Sequence, residues 1–239
     1  MSFDYERDTR TFYQDDATAQ RYHDMFVSKT GWRNLPSRLV ARREQRTVEA
    51  LLARVRHRNA LDIPAGSGKL AGVFASLGTR VVAADIAASM LERATAEFLR
   101  VGHQEVDFRV ADAADLSAFQ DNAFDVVVCL RLMHRVPSPL RQRMLEELAR
   151  VAPCAIVSFG IESGFHKLRR STRAAIFGGS KHALCFCSAK RAHAELEPLF
   201  EITAQRWISP ALSQEMIFLL KAKAKHAEPG RGPRHQTSE

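Results

Sequence analysis

The segment with the clearest chemical potential is Asp62-Ile63-Pro64-Ala65-Gly66-Ser67-Gly68, which combines a carboxylate with closely spaced glycines. Glycines at such a turn permit unusual backbone dihedrals and let a ligand approach the main chain. The start of a following helix offers N–H groups to an anionic ligand. Two further carboxylates, Asp85 and Asp112, follow along the chain. If each aspartate ends a strand of one parallel sheet, the three line a single crevice at its carboxyl edge.

Short apolar runs alternate with amphipathic stretches from about residue 58 onward, which predicts βαβ units and a mostly parallel sheet. Strands are predicted at 59–63, 80–84, 106–110, 124–130 and 155–159, and helices at 37–55, 67–77, 87–99 and 140–151. After a helix at 189–200, strands at 201–208 and 215–221 predict an antiparallel hairpin at the sheet edge. The predicted fold is therefore α/β, with a doubly wound seven-stranded sheet and an N-terminal helical cap.

Composition limits the class of protein. The 239 residues are 46% hydrophobic and 26% charged, which is typical of a globular chain. No apolar run approaches the ~20 residues that span a bilayer, and the polar, acidic N-terminus does not have the pattern of a secretory signal. Four cysteines are too few for a disulfide scaffold, so we expect reduced thiols and a cytoplasmic location. We predict a helical cap at 1–57, a ligand-binding domain at 58–223 and a disordered basic tail at 224–239.

Two nucleotide-binding alternatives fit the glycines poorly. The string AGSGK is similar to a P-loop, but Asp62 stands at the first glycine position and Leu70 where Ser or Thr should bind Mg²⁺. A dinucleotide site needs G-x-G-x-x-G, whereas Gly66, Gly68 and Gly72 are spaced as G-x-G-x-x-x-G. A short-chain dehydrogenase would also need a catalytic Tyr after the middle of the fold, whereas Tyr5, Tyr13 and Tyr22 all lie in the N-terminal extension.

A third interpretation rests on the segments ALDIPAGSGKL, VVAADIAASMLERA, VADAADL and FDVVVCLRLMHRV. Together they resemble the class I S-adenosylmethionine (SAM)-dependent methyltransferases over about residues 55–160. The usual first motif of that family is D-x-G-x-G-x-G, and Pro64 with Ala65 is similar to the D-I-P-C-G-T-G variant of bacterial members. The resemblance implies a Rossmann-like fold, SAM as the cofactor and methyl transfer as the reaction.

The resemblance also implies how the cofactor is held. Asp62 and Gly66 would lie beside its methionine moiety, Asp85 would accept from the ribose hydroxyls, and Asp112 would accept from the adenine amino group. The full set of implied cofactor-binding residues is Asp62, Pro64, Ala65, Gly66, Gly68, Asp85, Ile86, Met90, Asp112, Ala113 and Cys129.

Two residues after the fourth strand are candidates for the acceptor side. In the resembled family this loop faces the transferred methyl group. The unperturbed pKa of a histidine lies near neutrality, so His134 could act as a general base toward a hydroxyl. Arg131 could pair with an acceptor carboxylate or phosphate. Further basic residues follow the fifth strand: His166, Lys167, Arg169, Arg170 and Arg173. We therefore expect a small or glycan-like, anionic acceptor that is methylated at oxygen.

Two other functions remain open. A net charge of +8 and a pI near 9.7 suit an RNA methyltransferase, although no RNA-binding module is visible, so nucleic acid is possible but not favoured. The chain could instead bind SAM without catalysis. No metal site is predicted, because the Cys185-Phe186-Cys187 segment, even with His182 and His193, lacks zinc-site spacing.

Overall fold

The computed structural model describes residues 35–162, 185–210 and 212–223. A short 3₁₀ helix, Met133–Arg135, follows the fourth strand. The elements in chain order are α1 (Leu35–Leu52), β1 (Asn59–Asp62), α2 (Ala71–Leu77), β2 (Arg80–Asp85), α3 (Ala88–Arg100), β3 (Val106–Val110), β4 (Val126–Cys129), α4 (Ser138–Val151), β5 (Cys154–Gly160), α5 (Ala189–Leu196), β6 (Phe200–Trp207) and β7 (Glu215–Ala222).

The seven strands form one sheet in the order β3-β2-β1-β4-β5-β7-β6. The first five strands pair in parallel, whereas β7 is antiparallel to both β5 and β6. This confirms the predicted Rossmann-like α/β class and the C-terminal antiparallel hairpin. The strand order reverses direction between β1 and β4, which is where open α/β sheets form ligand crevices.

Apolar residues explain why the sheet is covered on both faces. All four residues of β4 are buried, as expected of a central parallel strand. Helix α3 buries Met90, Leu91, Ala94 and Phe98, the face that its sequence periodicity predicts. Helix α1 packs its C-terminal half into the apolar cluster that also contains β1 and α2. This packing brings the middle of α1 close to the carboxyl end of β1.

The helix predicted at 67–77 begins later, at Ala71. Gly66 and Gly68 have φ angles of +55° and +77°, and this left-handed backbone cannot continue an α-helix. A Cβ on Gly68 would also lie 3.0 Å from the Cα atom of Ala94. The glycines therefore let the loop between β1 and α2 pass tightly against α3.

Several predictions concern residues outside the described ranges. They include the first 34 residues of the cap, the basic residues at 166–173 and the tail at 224–239. The division of the chain at residues 57 and 223 stays a prediction. Within the described residues, no helix has both the length and the apolar character needed to cross a membrane.

Candidate functional site

A cleft opens at the carboxyl ends of β1, β2, β3 and β4. It brings together residues that are far apart in sequence, because parallel strands end at the same edge of the sheet. Of the predicted site residues, those that line the cleft are Asp62, Pro64, Ala65, Gly66, Asp85, Ile86, Met90, Asp112, Ala113 and Arg131.

Asp62 ends β1 as a carboxyl that is only 2% exposed. Its Oδ2 atom has no hydrogen-bond partner among the described residues. Burial raises the pKa of this carboxyl well above its usual range, and the charge of Asp85 raises it further. A buried polar group without a partner costs roughly 1–3 kcal/mol. The site therefore suits a ligand that brings an N–H or ammonium donor to Asp62.

Asp85 ends β2 and uses both carboxylate oxygens to hold the loops around it. Oδ2 accepts from the N–H of Gly66 at 2.9 Å, and Oδ1 accepts from the N–H of Ala87 at 3.0 Å. Burial raises the pKa of Asp85, while backbone hydrogen bonds from Ala87, Gly66 and Ile86 oppose the rise. A carboxylate offers about four lone-pair positions. Asp85 can therefore position the glycine loop and still accept from ligand hydroxyls.

The other side of the cleft is mostly apolar. Met90 and Ile86 line it from the β2–α3 connection, and Ala111, Asp112 and Ala113 line it after β3. The Oδ1 atom of Asp112 accepts from the N–H of Ala114 at 2.9 Å, which fixes the turn of this loop. Apolar walls with one carboxylate at the rim suit a flat ring that carries an N–H donor.

Three predicted site residues do not line the cleft: Gly68, Cys129 and His134. Cys129 is fully buried, and burial together with the charge of Asp62 raises its thiol pKa. The ring of His134 stacks on Phe186, with centroids 5.8 Å apart and planes 7° from parallel. Burial lowers the pKa of His134 well below its usual range, and Arg135 lowers it further. The structure therefore places His134 in packing beside β5 rather than along the cleft.

A charged cluster that sequence reasoning missed closes one end of the cleft. Glu44, on α1, lines the cleft although its exposed fraction is 0%. Its Oε1 atom lies 2.5 Å from Lys69 Nζ, and its Oε2 atom lies 3.4 Å from Arg131 Nη1. Burial alone would raise the pKa of Glu44, but the charges of Lys69 and Arg131 outweigh burial and hold that pKa below its usual range.

A second buried acid, Glu215, lies close enough to Glu44, Lys69 and Arg131 to interact with their charges. Glu215 begins β7, and burial together with the charge of Glu44 raises its pKa to about 7, against the opposing charges of Arg131 and Lys69. Its neighbour Ser158 accepts from the backbone N–H of Arg131 at 2.7 Å. That bond holds Arg131 at a φ angle of +61°, which few residues other than glycine adopt. Arg131 is thus fixed through both its main chain and its side chain.

A buried ion pair fixes the loop that carries Arg131. The guanidinium of Arg141 donates to both carboxylate oxygens of Glu195, at 2.7 and 2.8 Å. Arg141 also donates to the carbonyl oxygens of Met133 and Val136, at 3.2 and 2.8 Å. Helices α4 and α5 therefore hold the 3₁₀ helix after β4 in place.

The described residues contain no group of three or more His, Cys, Asp or Glu side chains arranged to hold a metal ion. Cys185 and Cys187 lie before α5, and both are free thiols. The backbone of Cys187 forms an isolated parallel β-bridge with Ile161, beyond the end of β5. His182 lies outside the described residues.

Comparison with known proteins shows what part of this chain is similar to a family model and to solved structures. Residues 60–153 match the family model described as a methyltransferase domain. Over 80 residues the chain is 39% identical to the ubiquinone biosynthesis O-methyltransferase of Xanthomonas campestris pv. campestris (strain B100). That stretch covers 34% of this chain and 33% of the relative, so the match spans about a third of the relative's length.

Solved structures extend the likeness over most of the chain. Magnesium protoporphyrin IX methyltransferase from Synechocystis PCC 6803, with bound SAH, has a TM-score of 0.75 at 18% identity, over 90% of this chain and 98% of that one. The fold is that of the class I methyltransferases. Human N-acetylserotonin methyltransferase in complex with SAM shares this methyltransferase fold with a TM-score of 0.64 at 14% identity, over 92% of this chain and 60% of that one.

Within the methyltransferase fold, the glycine loop and the strand-end aspartates were visible in the sequence, but the Glu44 cluster was not. Glu44 lies on a helix that carries several arginines, and a glutamate beside arginines on a helix usually forms an ion pair at the surface. Lys69 was weighed only as part of a P-loop. The one signal in the sequence was the position of Lys69 directly after the glycine loop, and Lys69 does line the cleft. The D-I-P-C-G-T-G assignment stays a prediction.

Proposed function

We propose that this chain is a SAM-dependent methyltransferase that methylates an oxygen of a small, anionic acceptor. The observation that carries the proposal is the cleft in which Asp62 and Asp85 end adjacent strands beside a left-handed glycine loop. The Oδ2 atom of Asp62 has no hydrogen-bond partner among the residues that the structure describes. The methyltransferase-domain match supports the same activity.

The residues of the cleft suit the chemistry of SAM. Asp62 would accept from the ammonium group of the amino-acid part, which would satisfy its Oδ2 atom. Asp85 would accept from the two ribose hydroxyls while it keeps its bonds to Gly66 and Ala87. Ile86 and Met90 would flank the adenine, and Asp112 would accept from its amino group. When bound, the cofactor would supply an electrophilic methyl group on a sulfonium.

The acceptor proposal rests on the cations at the cleft. Arg131 and Arg135 both line it, and the Nε atom of Arg135 donates to the carbonyl oxygen of Arg131 at 3.1 Å. Guanidinium groups recognise carboxylate and phosphate groups with two parallel hydrogen bonds. Relatives named O-methyltransferases support oxygen as the acceptor atom. A glycan-like acceptor that carries such a group would use the same cations.

The chain contributes to the reaction mainly by holding its two reactants in line. Alignment of reacting groups can supply much of the acceleration of a displacement reaction. The apolar lining, which includes Leu130 and Leu132, would exclude water from the transfer. The role of His134 as a general base stays a prediction. Its ring lies against Phe186, and His134 does not line the cleft.

The test uses SAM with a labelled methyl group and fractionated cell extract, with and without ribonuclease. We expect label in a small anionic product, and little label when Asp85→Asn replaces the wild type. Asp107→Asn, on the exposed surface of β3, is the matched control and should behave as wild type. Label in ribonuclease-sensitive material would favour the RNA methyltransferase. Binding of SAM without turnover on any fraction would favour a non-catalytic protein.

A further inference from the structure

A ring of hydrogen bonds begins and ends at Arg131. Its N–H donates to the hydroxyl of Ser158 at 2.7 Å, and its Nη1 atom lies 3.4 Å from Oε2 of Glu44. Between these two ends lies Glu215, which has side-chain hydrogen bonds with Ser158 and with Glu44. We propose that Glu215 is a positioning residue whose proton closes this ring and so holds the main chain and the side chain of Arg131 as one unit. The inference rests on the proposed function, because Arg131 lines the cleft in which methyl transfer would occur.

The directions of the hydrogen bonds require a proton on Glu215. The oxygen of Ser158 accepts from Arg131, and its one O–H is left to donate to the Glu215 carboxyl. Although burial raises the pKa of Glu44, the charges of Lys69 and Arg131 hold it below its usual range, so Glu44 is a carboxylate that can only accept. The bond between the two acids therefore needs an O–H on Glu215. Within the described part of the chain, no group donates to its Oε1 atom, which leaves that oxygen to carry the proton.

The surroundings of Glu215 explain why it keeps this proton up to neutral pH. Its carboxyl is buried at the start of β7, and burial together with the charge of Glu44 on α1 raises its pKa to about 7. Arg131 after β4 and Lys69 before α2 lower that pKa, as does the hydrogen bond with Ser158 on β5. Two adjoining carboxylates repel each other when both are ionised. Loss of the proton would therefore push Glu44 and Glu215 apart and break the ring.

Arg131 has to be held because its backbone is strained. A φ of +61° is unfavourable for a residue with a Cβ and persists only where the surroundings hold it. Leu130 and Leu132, on either side of it, also line the cleft. A ring that fixes the main chain and the side chain together keeps this wall in place before a ligand arrives, which lowers the entropic cost of binding. Loss of the ring should therefore slow methyl transfer.

The first measurement follows the loop itself and needs no ligand. Hydrogen–deuterium exchange on the full chain, read by mass spectrometry, gives the protection of residues 130–135 relative to the unfolded peptide at each pH. In the wild type this protection should fall about tenfold for each pH unit between about pH 5 and 7, because an opening that exposes Glu215 to water releases its proton. Glu215→Gln keeps a donor for Glu44 and an acceptor for Ser158 but does not titrate, so its protection should not change with pH.

A second variant separates the ring from a merely structural role of Glu215. Ser158→Ala removes the link to the main chain of Arg131, so protection of residues 130–135 should be low at every pH, while the free energy of unfolding still depends on pH through Glu215. Glu201→Gln, an exposed glutamate on β6, is the matched control and should behave as wild type. Wild-type protection that does not change with pH, or the same pH dependence in Ser158→Ala, would overturn the proposal.

The second measurement connects the ring to the reaction. Rates of methyl transfer from labelled SAM to an extract fraction that accepts label are compared for wild type and Glu215→Gln. The ratio of the two rates cancels any ionisation of the acceptor, and the ratio of variant to wild type should rise by up to about tenfold per pH unit above about pH 7. A ratio that does not change with pH would rule out the positioning role. If no fraction is methylated, the proposed function fails, and the exchange measurement still decides whether the proton of Glu215 holds Arg131.

Discussion

Asp62→Asn should make the ligand-free protein more stable and its cofactor complex weaker. Asp62 is a buried carboxyl whose Oδ2 atom has no hydrogen-bond partner in the part of the chain that the structure describes, and the charge of Asp85 repels it. Asparagine still places a polar atom at that position but carries no charge, and removing the charge from a buried, repelled group is worth about 1–3 kcal/mol. For a chain of this size, each kcal/mol corresponds to roughly 2–4 °C in Tm. We therefore expect the variant to unfold about 2–12 °C above wild type at pH 8.

The pH dependence gives this prediction its sign. Because the pKa of Asp62 is raised in the folded state, the folded protein holds more protons than the unfolded chain above about pH 4. The stability of the wild type therefore falls as pH rises through that window. The asparagine side chain of the variant does not titrate, so the advantage of the variant should grow from about pH 4 toward pH 8.

Differential scanning fluorimetry at pH 4.5, 6 and 8, with and without S-adenosylhomocysteine, measures both effects. The ligand should raise the Tm of the wild type by more than that of Asp62→Asn, since the variant lacks the charge that the ligand would meet. Asp107→Asn, whose carboxyl is at the surface, should show neither effect. Equal stability of variant and wild type at pH 8, or an advantage that does not change with pH, would refute the reasoning.

Three further predictions concern stability and can be measured by urea denaturation. Gly68→Ala should lower the free energy of unfolding by about 1–3 kcal/mol, because residue 68 has a φ of +77° and a Cβ there would lie 3.0 Å from the backbone of α3. Gly72 has open space around it, so Gly72→Ala should not lower the free energy of unfolding. Equal effects of the two substitutions would contradict this account. Arg141→Met should cost about 3–5 kcal/mol because it leaves the Glu195 carboxylate buried without its bidentate partner; a loss below about 1 kcal/mol would show that Glu195 finds other donors. Burial raises the pKa of Glu215 to about 7, so the free energy of unfolding of the wild type should fall as pH rises from about 4.5 to 7. Glu215→Gln should make this pH dependence weaker. If the pH dependence is unchanged in Glu215→Gln, Glu215 does not contribute to it.

Much of the fold could be predicted from sequence because periodicity reports burial. The third strand lies at Val106–Val110, as predicted, although its own burial alternates weakly. The central strand was predicted at 124–130 and is shorter, Val126–Cys129, because Phe124 belongs to the loop before it and Leu130 to the turn after it. The strand-end aspartates could be placed in one cleft because parallel strands fix which ends meet.

The direction of side chains after β4 could not be predicted in the same way. The sequence places Arg131 and His134 in one loop but does not say which of them faces the cleft. The left-handed residue Arg131 and the 3₁₀ helix that follows decide this, and they turn His134 toward Phe186. Glu44 was missed for a related reason. Its partner Lys69 is 25 residues away, and only the packing of α1 brings them together.

Buried carboxyl groups at and beside the cleft lower the free energy of unfolding of the ligand-free protein. Within residues 35–162, 185–210 and 212–223, the Oδ2 atom of Asp62 has no hydrogen-bond partner, and the carboxyl of Glu215 is buried away from water. Buried acids of this kind weaken a fold by amounts comparable to the effect of a bound ligand. A ligand present at a hundredfold excess over its Kd stabilises the folded state by about 2.7 kcal/mol. Ligand binding at the cleft would thus offset the cost of Asp62, which explains how a destabilising carboxyl persists where a neutral side chain would fold better.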